Sequence, residues 1–495
     1  MLQQADIDAI RGTPLQAREL LINGAFKPSK SGEVLTIISP IDGSELTTIA
    51  SGGKEDVDDA VAAARNSFES GTWSQASPAE RKKALFRVAD LIEKHALELA
   101  VLGVRDNGTE IRMAMRGEPG SAAATFRYYA EAIDKVAGEV ANTAPNYFGM
   151  AQREPVGVVG AIVPWNFPLM IGAWKLAPAL AVGNSVVIKP AESASLSLLR
   201  LAELALEAGL PEGVLNVVTG RGSVTGEALA LHMDVDVLVF TGSGTIGRRL
   251  LEYSARSNVK RVYLELGGKS PNIVFADVPD IDAAVKGSVN GMFRNSGQVC
   301  VAGSRLLLQK SIAEEFTDKL LTTANALKVG DPLDLDSDVG AISNEEQLLK
   351  DLEFVDVAQK EGATLATGGQ RILEDTGGYY MQPTVFTGVE SQMTIAQEEV
   401  FGPVLSVIEF DDADDAVRIA NSTPYGLAAG VWTSNLTTAH QMVRAIRSGI
   451  VHVNCYGGAA ISLPMGGMKQ SGNGYDRSLH ALDKFTNLKT AWFSL

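Results

Sequence analysis

Through the middle third of the chain, short apolar runs alternate with longer amphipathic stretches. AIVP (161–164), SVVIKP (185–190), VLNVVTG (214–220), DVLVFTG (236–242) and VYLELGG (262–268) read as buried strands. The segments between them have helical periodicity. One is SASLSLLRLAELALEAG (193–209), which closes on Gly209, a residue suited to a helix C′ position. Strands that are apolar throughout, separated by helices of this length, predict a parallel α/β sheet covered on both faces. Upstream, 78–102 predicts one helix with Leu85, Val88, Ile92, Ala96 and Leu99 on a single stripe. A second alternation follows Cys300: SRLLLQ, the helix SIAEEFTDKLLTTANAL, the strand VLSVIEF and the helix DDADDAVRIANS. It predicts a second α/β domain. The C-terminal 482–495 alternates as a strand does and, with a strand near 146–157, predicts a protruding ribbon whose exposed edges call for a second copy of the chain.

One stretch imitates a membrane span. VGVVGAIVPWNFPLMIGAW (156–174) is long enough, and Asn166 is its only conventionally polar side chain. Pro164 and Pro168 would break a spanning helix near its centre, so the expected arrangement is a buried strand, a turn and then a helix. No basic leader with an apolar core opens the sequence, which suggests a cytoplasmic protein.

Composition narrows the function. The 495 residues carry a net charge of −16, with no basic concentration to neutralise phosphates, so nucleic acid is not an expected partner. Two cysteines cannot form a disulfide framework, and neither belongs to a zinc-type pair.

One of the two, Cys300, stands in NSGQVC (295–300). A buried spectator thiol, a half-disulfide, a metal ligand and a nucleophile are all compatible with that local sequence. A nucleophile needs activation, because a free thiol near pKa 8.5 is mostly protonated at neutral pH. None of the five histidines lies in an evident motif, and Glu265, at a strand end before Gly267 and Gly268, is the better candidate base. Asn166 in the PWNFP turn offers an amide to an oxyanion. TGSGTIGR (241–248) holds a GxGxxG at Gly242, Gly244 and Gly247 between a strand and a helix, although on about the fourth strand. The ordinary Rossmann reading would then give Glu265 to a ribose. Lys189 and Glu192, just past another strand, could also hold a ribose, and a carboxylate there disfavours a 2′-phosphate. That points to NAD over NADP.

Seven ordered motifs, PWNFP, KPAE, FTGSGTIGR, LELGGKSPNIVF, GQVC, EEVFGPVL and PMGGMKQSGNG, resemble the NAD(P)-dependent aldehyde dehydrogenase superfamily from about residue 20 to the C-terminus. The resemblance implies a Rossmann-like cofactor domain (1–135 and 156–266), an α/β catalytic domain (267–468) and a β oligomerisation ribbon (136–155 and 480–495) in a homotetramer built from dimers. It makes Cys300 the nucleophile, Asn166 its oxyanion donor, and Glu265 the base of the deacylating water rather than a ribose ligand. Trp165, Lys189, Glu192, Gly242, Ser243, Leu266, Glu399 and Phe401 correspond to cofactor-binding positions. Lys175 and Asp476 stand where a proton relay is suspected, with Asp shorter than the commoner Glu. The implied chemistry is thiolate addition to an aldehyde, hydride transfer to NAD, thioester formation and hydrolysis, with no metal in the reaction. A CoA-acylating relative is the alternative class, and the retained Glu265 argues against it. Asp106 corresponds to a structural monovalent-cation position in some relatives, and otherwise reads as an ordinary surface acid. Cys455 reads as a packed residue beside the pocket.

The C-terminal segment especially resembles bacterial enzymes of γ-aminobutyraldehyde-type substrates, including γ-glutamylamino compounds. Two departures stand out. The loop NCYGGAAISLPMGG offers no acid for a cationic substrate, and Arg294 stands six residues before Cys300, as in succinic semialdehyde dehydrogenases. The expected pocket comprises Phe167, Ile171, Trp174, Arg294, Ala459 and Met465, for an amino- or γ-glutamylamino-aldehyde, or alternatively a carboxylate-bearing one. Arg294 facing outward against an acid is the competing reading of that position.

Overall fold

The computed structural model describes residues 2–458 and 460–495, so Ala459 of the expected pocket lies outside the described residues. The five apolar runs become the parallel strands Val158–Ile162, Ser185–Lys189, Leu215–Val217, Val237–Thr241 and Arg261–Glu265. Across the sheet they lie in the order Leu215–Val217, Ser185–Lys189, Val158–Ile162, Val237–Thr241, Arg261–Glu265. The chain thus begins in the middle, builds outward one way, then returns to build the other. The reversal falls between Val158–Ile162 and Val237–Thr241, and the crevice beyond the carboxyl ends of such a strand pair is where α/β sheets take ligands. At one edge the antiparallel pair Leu20–Ile22 and Ala25–Lys27 closes the sheet. At the other, Gly472–Asn473 pairs with Leu264 and Glu265, which carries the C-terminal segment to the end of that strand.

The span-like stretch 156–174 divides as its prolines require, into strand, turn and the helix Pro168–Ala181. Pro168 occupies the first turn, where a missing N–H costs nothing. Among the described residues no helix is long and apolar enough to cross a membrane.

The single helix expected over 78–102 is in fact two, Pro78–Lys94 and Ala96–Asn107. His95 leaves the helical region (φ −103°, ψ 19°), and its Nδ1 lies 2.7 Å from the Glu98 carboxylate. The stripe nevertheless continues into the core at Leu85, Val88, Ile92 and Leu99, because the second helix turns to pack on Leu196–Glu207. Side-chain periodicity survives a one-residue break, so the pattern alone does not reveal it.

A second sheet runs Thr364–Thr367, Thr384–Thr387, Val404–Phe410, Arg305–Gln309, Pro271–Val274, Ala428–Trp432, Ile450–Val453, parallel except at its first pairing. A third, three-stranded sheet pairs Thr486–Ser494 with Tyr147–Pro155 over their whole length, with Glu139–Ala141 on the far side. Its surface is unusually apolar: Val140 is 72% exposed and Trp492 60%, the latter stacked on Tyr147 at 5.3 Å.

Candidate active site

The segment before Cys300 is an unusual backbone. After the helix Ile281–Phe293, the residues Asn295 (φ 49°), Ser296 (φ 51°) and Gly297 (φ 74°) are all left-handed. Only glycine adopts that region freely, so the two side-chain-bearing residues must be held there by their surroundings. The Asn295 N–H donates to both oxygens of Glu110 (3.1 and 3.2 Å), and its Oδ1 accepts from the Thr109 hydroxyl at 2.7 Å. The Ser296 hydroxyl donates to the Gly340 carbonyl at 2.9 Å, and Gln298 Oε1 accepts from the Ser343 N–H at 2.9 Å. Asn166 then donates from Nδ2 to the Gln298 carbonyl at 2.9 Å, fixing its amide two residues from Cys300. A side chain at Gly268 would meet the Cys300 carbonyl, so the neighbouring strand end packs directly on the turn.

Cys300 is half-buried at the meeting of two cavities, both of which it lines together with Ile171. The larger, about 400 Å³, is bounded by Phe167, Ile171, Trp174, Arg294 and Met465, and also by Met113, Arg116, His452 and Arg477. The smaller, about 180 Å³, lies on the side of the switch point and is lined by Trp165, Asn166, Gly242, Ser243, Glu265, Leu266, Glu399 and Phe401. Thus one wall of the thiol faces a mostly apolar tunnel carrying arginines, and the other faces the strand ends.

That second wall has the features a dinucleotide needs. Ser243 caps the helix Gly244–Arg256, whose first-turn N–H groups form a natural anion site. Gly242 has no Cβ where one would strike the Phe240 ring, and Gly247 lets the helix settle on Leu264 and Leu266. Glu399 accepts from the Gly268 N–H at 3.0 Å, in space that a Cβ on Gly267 would occupy. Phe401, held left-handed (φ 65°), meets Trp165 edge-on at 5.3 Å. Thr241 Oγ1 and both carboxylate oxygens of Glu265 are buried in this cleft without a partner among the described residues, an arrangement that awaits a ligand or water. The residues present therefore fit a bound dinucleotide. Lys189 and Glu192 do not line this cavity. Lys189 is buried at its strand end and donates to the Pro190 carbonyl (2.9 Å) and to Glu192 (3.3 Å), one strand farther along the same crevice.

Burial governs the electrostatics here. It pushes the Cys300 thiol up to about 12, with Glu399 and Glu265 adding to the effect. It likewise raises Glu399 to about 7 and puts Glu265 well above the usual carboxylate range, with Asp476 reinforcing the latter. Asp476 goes the other way. Burial would raise it, but Lys175 and Lys484, both bonded to its carboxylate, hold it ionised. The shorter Asp476 side chain therefore does reach Lys175.

Arg294 faces the larger cavity, its guanidinium against Gly457, and forms no ion pair among the described residues. Two positions differ from expectation. Cys455 is exposed and lines neither cavity, because it sits past the end of the edge strand Ile450–Val453. Asp106 is not a surface acid: it is wholly buried on Ala96–Asn107 and accepts the Leu196 N–H at 2.9 Å. Arg116, Arg477 and Lys484 escaped the sequence reading. For Arg116 a signal existed, since Met113, Arg116 and Gly117 share one face of the short helix Ile111–Gly117 at i, i+3, i+4 spacing. Lys484 left none.

A doubly wound sheet with a dinucleotide cleft against a half-buried cysteine defines an oxidoreductase class. The model of the aldehyde dehydrogenase family matches residues 26–491. The NADP/NAD-dependent aldehyde dehydrogenase PuuC of Escherichia coli is 48% identical over 96% of this chain and 95% of its own. An indole-3-acetaldehyde dehydrogenase, solved as a crystal structure with NAD+, is 49% identical with TM-score 0.98 over 100% of both chains. A γ-glutamyl-γ-aminobutyraldehyde dehydrogenase from Burkholderia cenocepacia J2315, also a crystal structure, is 49% identical with TM-score 0.97 over 100% of both. The chain belongs to the aldehyde dehydrogenase family. It is an NAD(P)-dependent oxidoreductase with that family's fold.

Proposed function

We propose that the chain oxidises an aldehyde to a carboxylic acid through covalent attachment to Cys300. The carrying observation is the position of that thiol at the junction of a substrate-sized tunnel and the dinucleotide cleft. Addition of the Cys300 sulfur to the carbonyl places the new oxyanion beside the Asn166 amide, whose position the Gln298 carbonyl fixes. Ser243, Glu399 and Phe401, with Lys189 and Glu192 at the ribose farther along, would hold NAD, which would accept the hydride that leaves the adduct carbon as the oxyanion collapses to the thioester. Glu265 takes a proton from the water that attacks the thioester carbon. The carbon–sulfur bond breaks, the acid leaves and the thiol is regenerated. A CoA-acylating reaction would leave Glu265 without work. Accumulation of acyl-CoA in place of acid would establish it.

For the substrate, the tunnel supports an aldehyde bearing a carboxylate at its far end. Arg116, Arg294 and Arg477 line the tunnel, and none of its described lining residues is acidic. A bare ω-amino group would meet only like charge there. γ-Glutamylaminobutyraldehyde, the substrate class named for one solved relative, ends in an α-carboxylate with an α-ammonium beside it, and succinic semialdehyde is the shorter alternative with a carboxylate alone. Arg294→Ala is expected to lower kcat/KM for γ-glutamylaminobutyraldehyde by roughly 10- to 100-fold, the worth of a charge-assisted hydrogen bond, and to leave hexanal within about twofold. Equal losses on both substrates, or none on either, would count against the carboxylate reading.

The proposed organisation is two α/β domains, 1–135 with 156–266 and 267–468, with the ribbon of 136–155 and 480–495 joining copies of the chain. The exposed apolar ribbon is what supports self-association into a tetramer built from dimers. The sparse, unpaired cysteines suit a cytoplasmic setting.

A further inference from the structure

We infer that Lys484 is a positioning residue for the hydrolytic half of the reaction, its buried ammonium supplying the net positive charge that lets Glu265 act as an anion. The inference rests on the reading of Glu265 as the base.

Lys484 ends the short 3-10 helix Leu479–Lys484, immediately before the C-terminal strand Thr486–Ser494, and belongs to no cavity of the active site. Its side chain is 3% exposed, an extreme for lysine, whose ammonium is strongly hydrated and normally kept in water. Nζ is bonded to Asp476 Oδ1, while Lys175 Nζ from the helix Pro168–Ala181 is bonded to Oδ2. Asp476 is thus divided between two lysines, and all three side chains are at most 3% exposed.

A buried lysine–aspartate pair is self-compensating, so the second lysine is what needs a reason. Lys175, Asp476 and Lys484 together carry one net positive charge in a region shielded from water. Glu265 is the available counter-charge. It sits at the end of Arg261–Glu265, and its partner strand Gly472–Asn473 leads directly to Asp476. Both its carboxylate oxygens lack a protein hydrogen bond, so nothing local stabilises its charge. Burial and Asp476 push its pKa up, whereas Lys175 and then Lys484 pull it down. Cys300 and Glu399 line the same cleft as Glu265, and neither supplies positive charge. Around Asp476 the remaining titratable neighbours are Tyr129 and Arg477. With Lys484 charged, the cluster is neutral only when Glu265 is ionised, and an uncompensated buried charge is strongly disfavoured. Without Lys484, Lys175 and Asp476 would satisfy each other and leave Glu265 favouring its proton.

The experiment is the pH dependence of kcat for the full-length protein with NAD and a saturating aldehyde, alongside the pre-steady-state NADH burst. Lys484→Met is expected to move the acid limb of kcat up by at least one pH unit, about a tenfold lower rate on that limb, and to keep a full burst. Lys484→Arg, which keeps the charge, should leave the limb at the wild-type pH whatever its absolute rate. Asp476→Asn, which removes the competing anion, should move it down. Should Lys484→Met fail to fold, Lys484→Gln, which also removes the charge, takes its place with the same expected shift. A limb that stays in place, or losses equal at every pH with the burst also gone, would assign Lys484 a purely structural role and overturn the inference. Glu265→Gln run in parallel separates this failure from failure of the underlying reading: an undiminished steady-state rate in that variant means Glu265 is not the base.

Discussion

Replacement of Cys300 by alanine is expected to abolish aldehyde-dependent NADH formation, by at least ~10⁴-fold, while NAD binding measured by calorimetry stays within about twofold of wild type. Removing a nucleophile costs an enzyme that uses one the whole covalent route, and losses of that order or larger are typical. The two halves of the prediction separate because the cavities do. Glu399, Ser243 and Phe401 lie on the cleft side of the sulfur, and none is held by it. Serine is the sharper substitution, since it preserves shape and a hydrogen-bonding group while losing thiolate chemistry. The local electrostatics add a corollary. Burial, Glu399 and Glu265 together keep the thiol protonated in the free protein, so acylation is expected to depend on the order of binding, with the positively charged cofactor favouring the thiolate. A variant that retained turnover would remove the covalent mechanism altogether and leave Cys300 as a packing residue.

Glu265→Gln is expected to divide the reaction rather than abolish it. One NADH per active site should appear in a burst at close to the wild-type rate, followed by steady turnover reduced by about 10²- to 10⁴-fold, the usual contribution of a general base. The acyl-enzyme should then be detectable by mass spectrometry as an adduct on Cys300. The pH dependence follows from the sign of the shift. A base works only when deprotonated, and burial with Asp476 nearby holds Glu265 well above the carboxylate range. Wild-type kcat should therefore rise with pH through a limb lying above the pH of 4 to 5 expected of an exposed glutamate. That limb should vanish in Glu265→Gln. Its presence unchanged would assign the titration to another group, with Glu399, raised to about 7, the first candidate.

Both experiments address residues that the chain's own motifs bring forward. The parallel sheet is legible because strands buried on both faces must be apolar throughout, and five such runs separated by helical periodicity leave few alternatives. Gly267, Gly268 and the GxGxxG are legible for a related reason: close approach forbids side chains, and that prohibition is written locally. The break at His95 was not legible, since the apolar stripe passes through it and only two backbone torsions change. Nor could the motif alone say whether Glu265 serves a ribose or a water. Both readings need an acid at that strand end, and it is the resemblance carried by the seven ordered motifs that implies the base.

The pattern of apolar and small residues was sufficient for the parallel sheet and for the glycine turns at its strand ends, because these depend on contacts within a few residues or on one face of an element. The charges around Cys300 and Glu265 come from far apart in the chain. Lys175, Asp476 and Lys484 meet only when a C-terminal strand pairs beside Glu265, and Arg116, Arg294 and Arg477 converge from three separate segments onto one tunnel. Coulombic energy in a buried site depends on distances through space and on exclusion of water, and both exist only after the chain has closed around them.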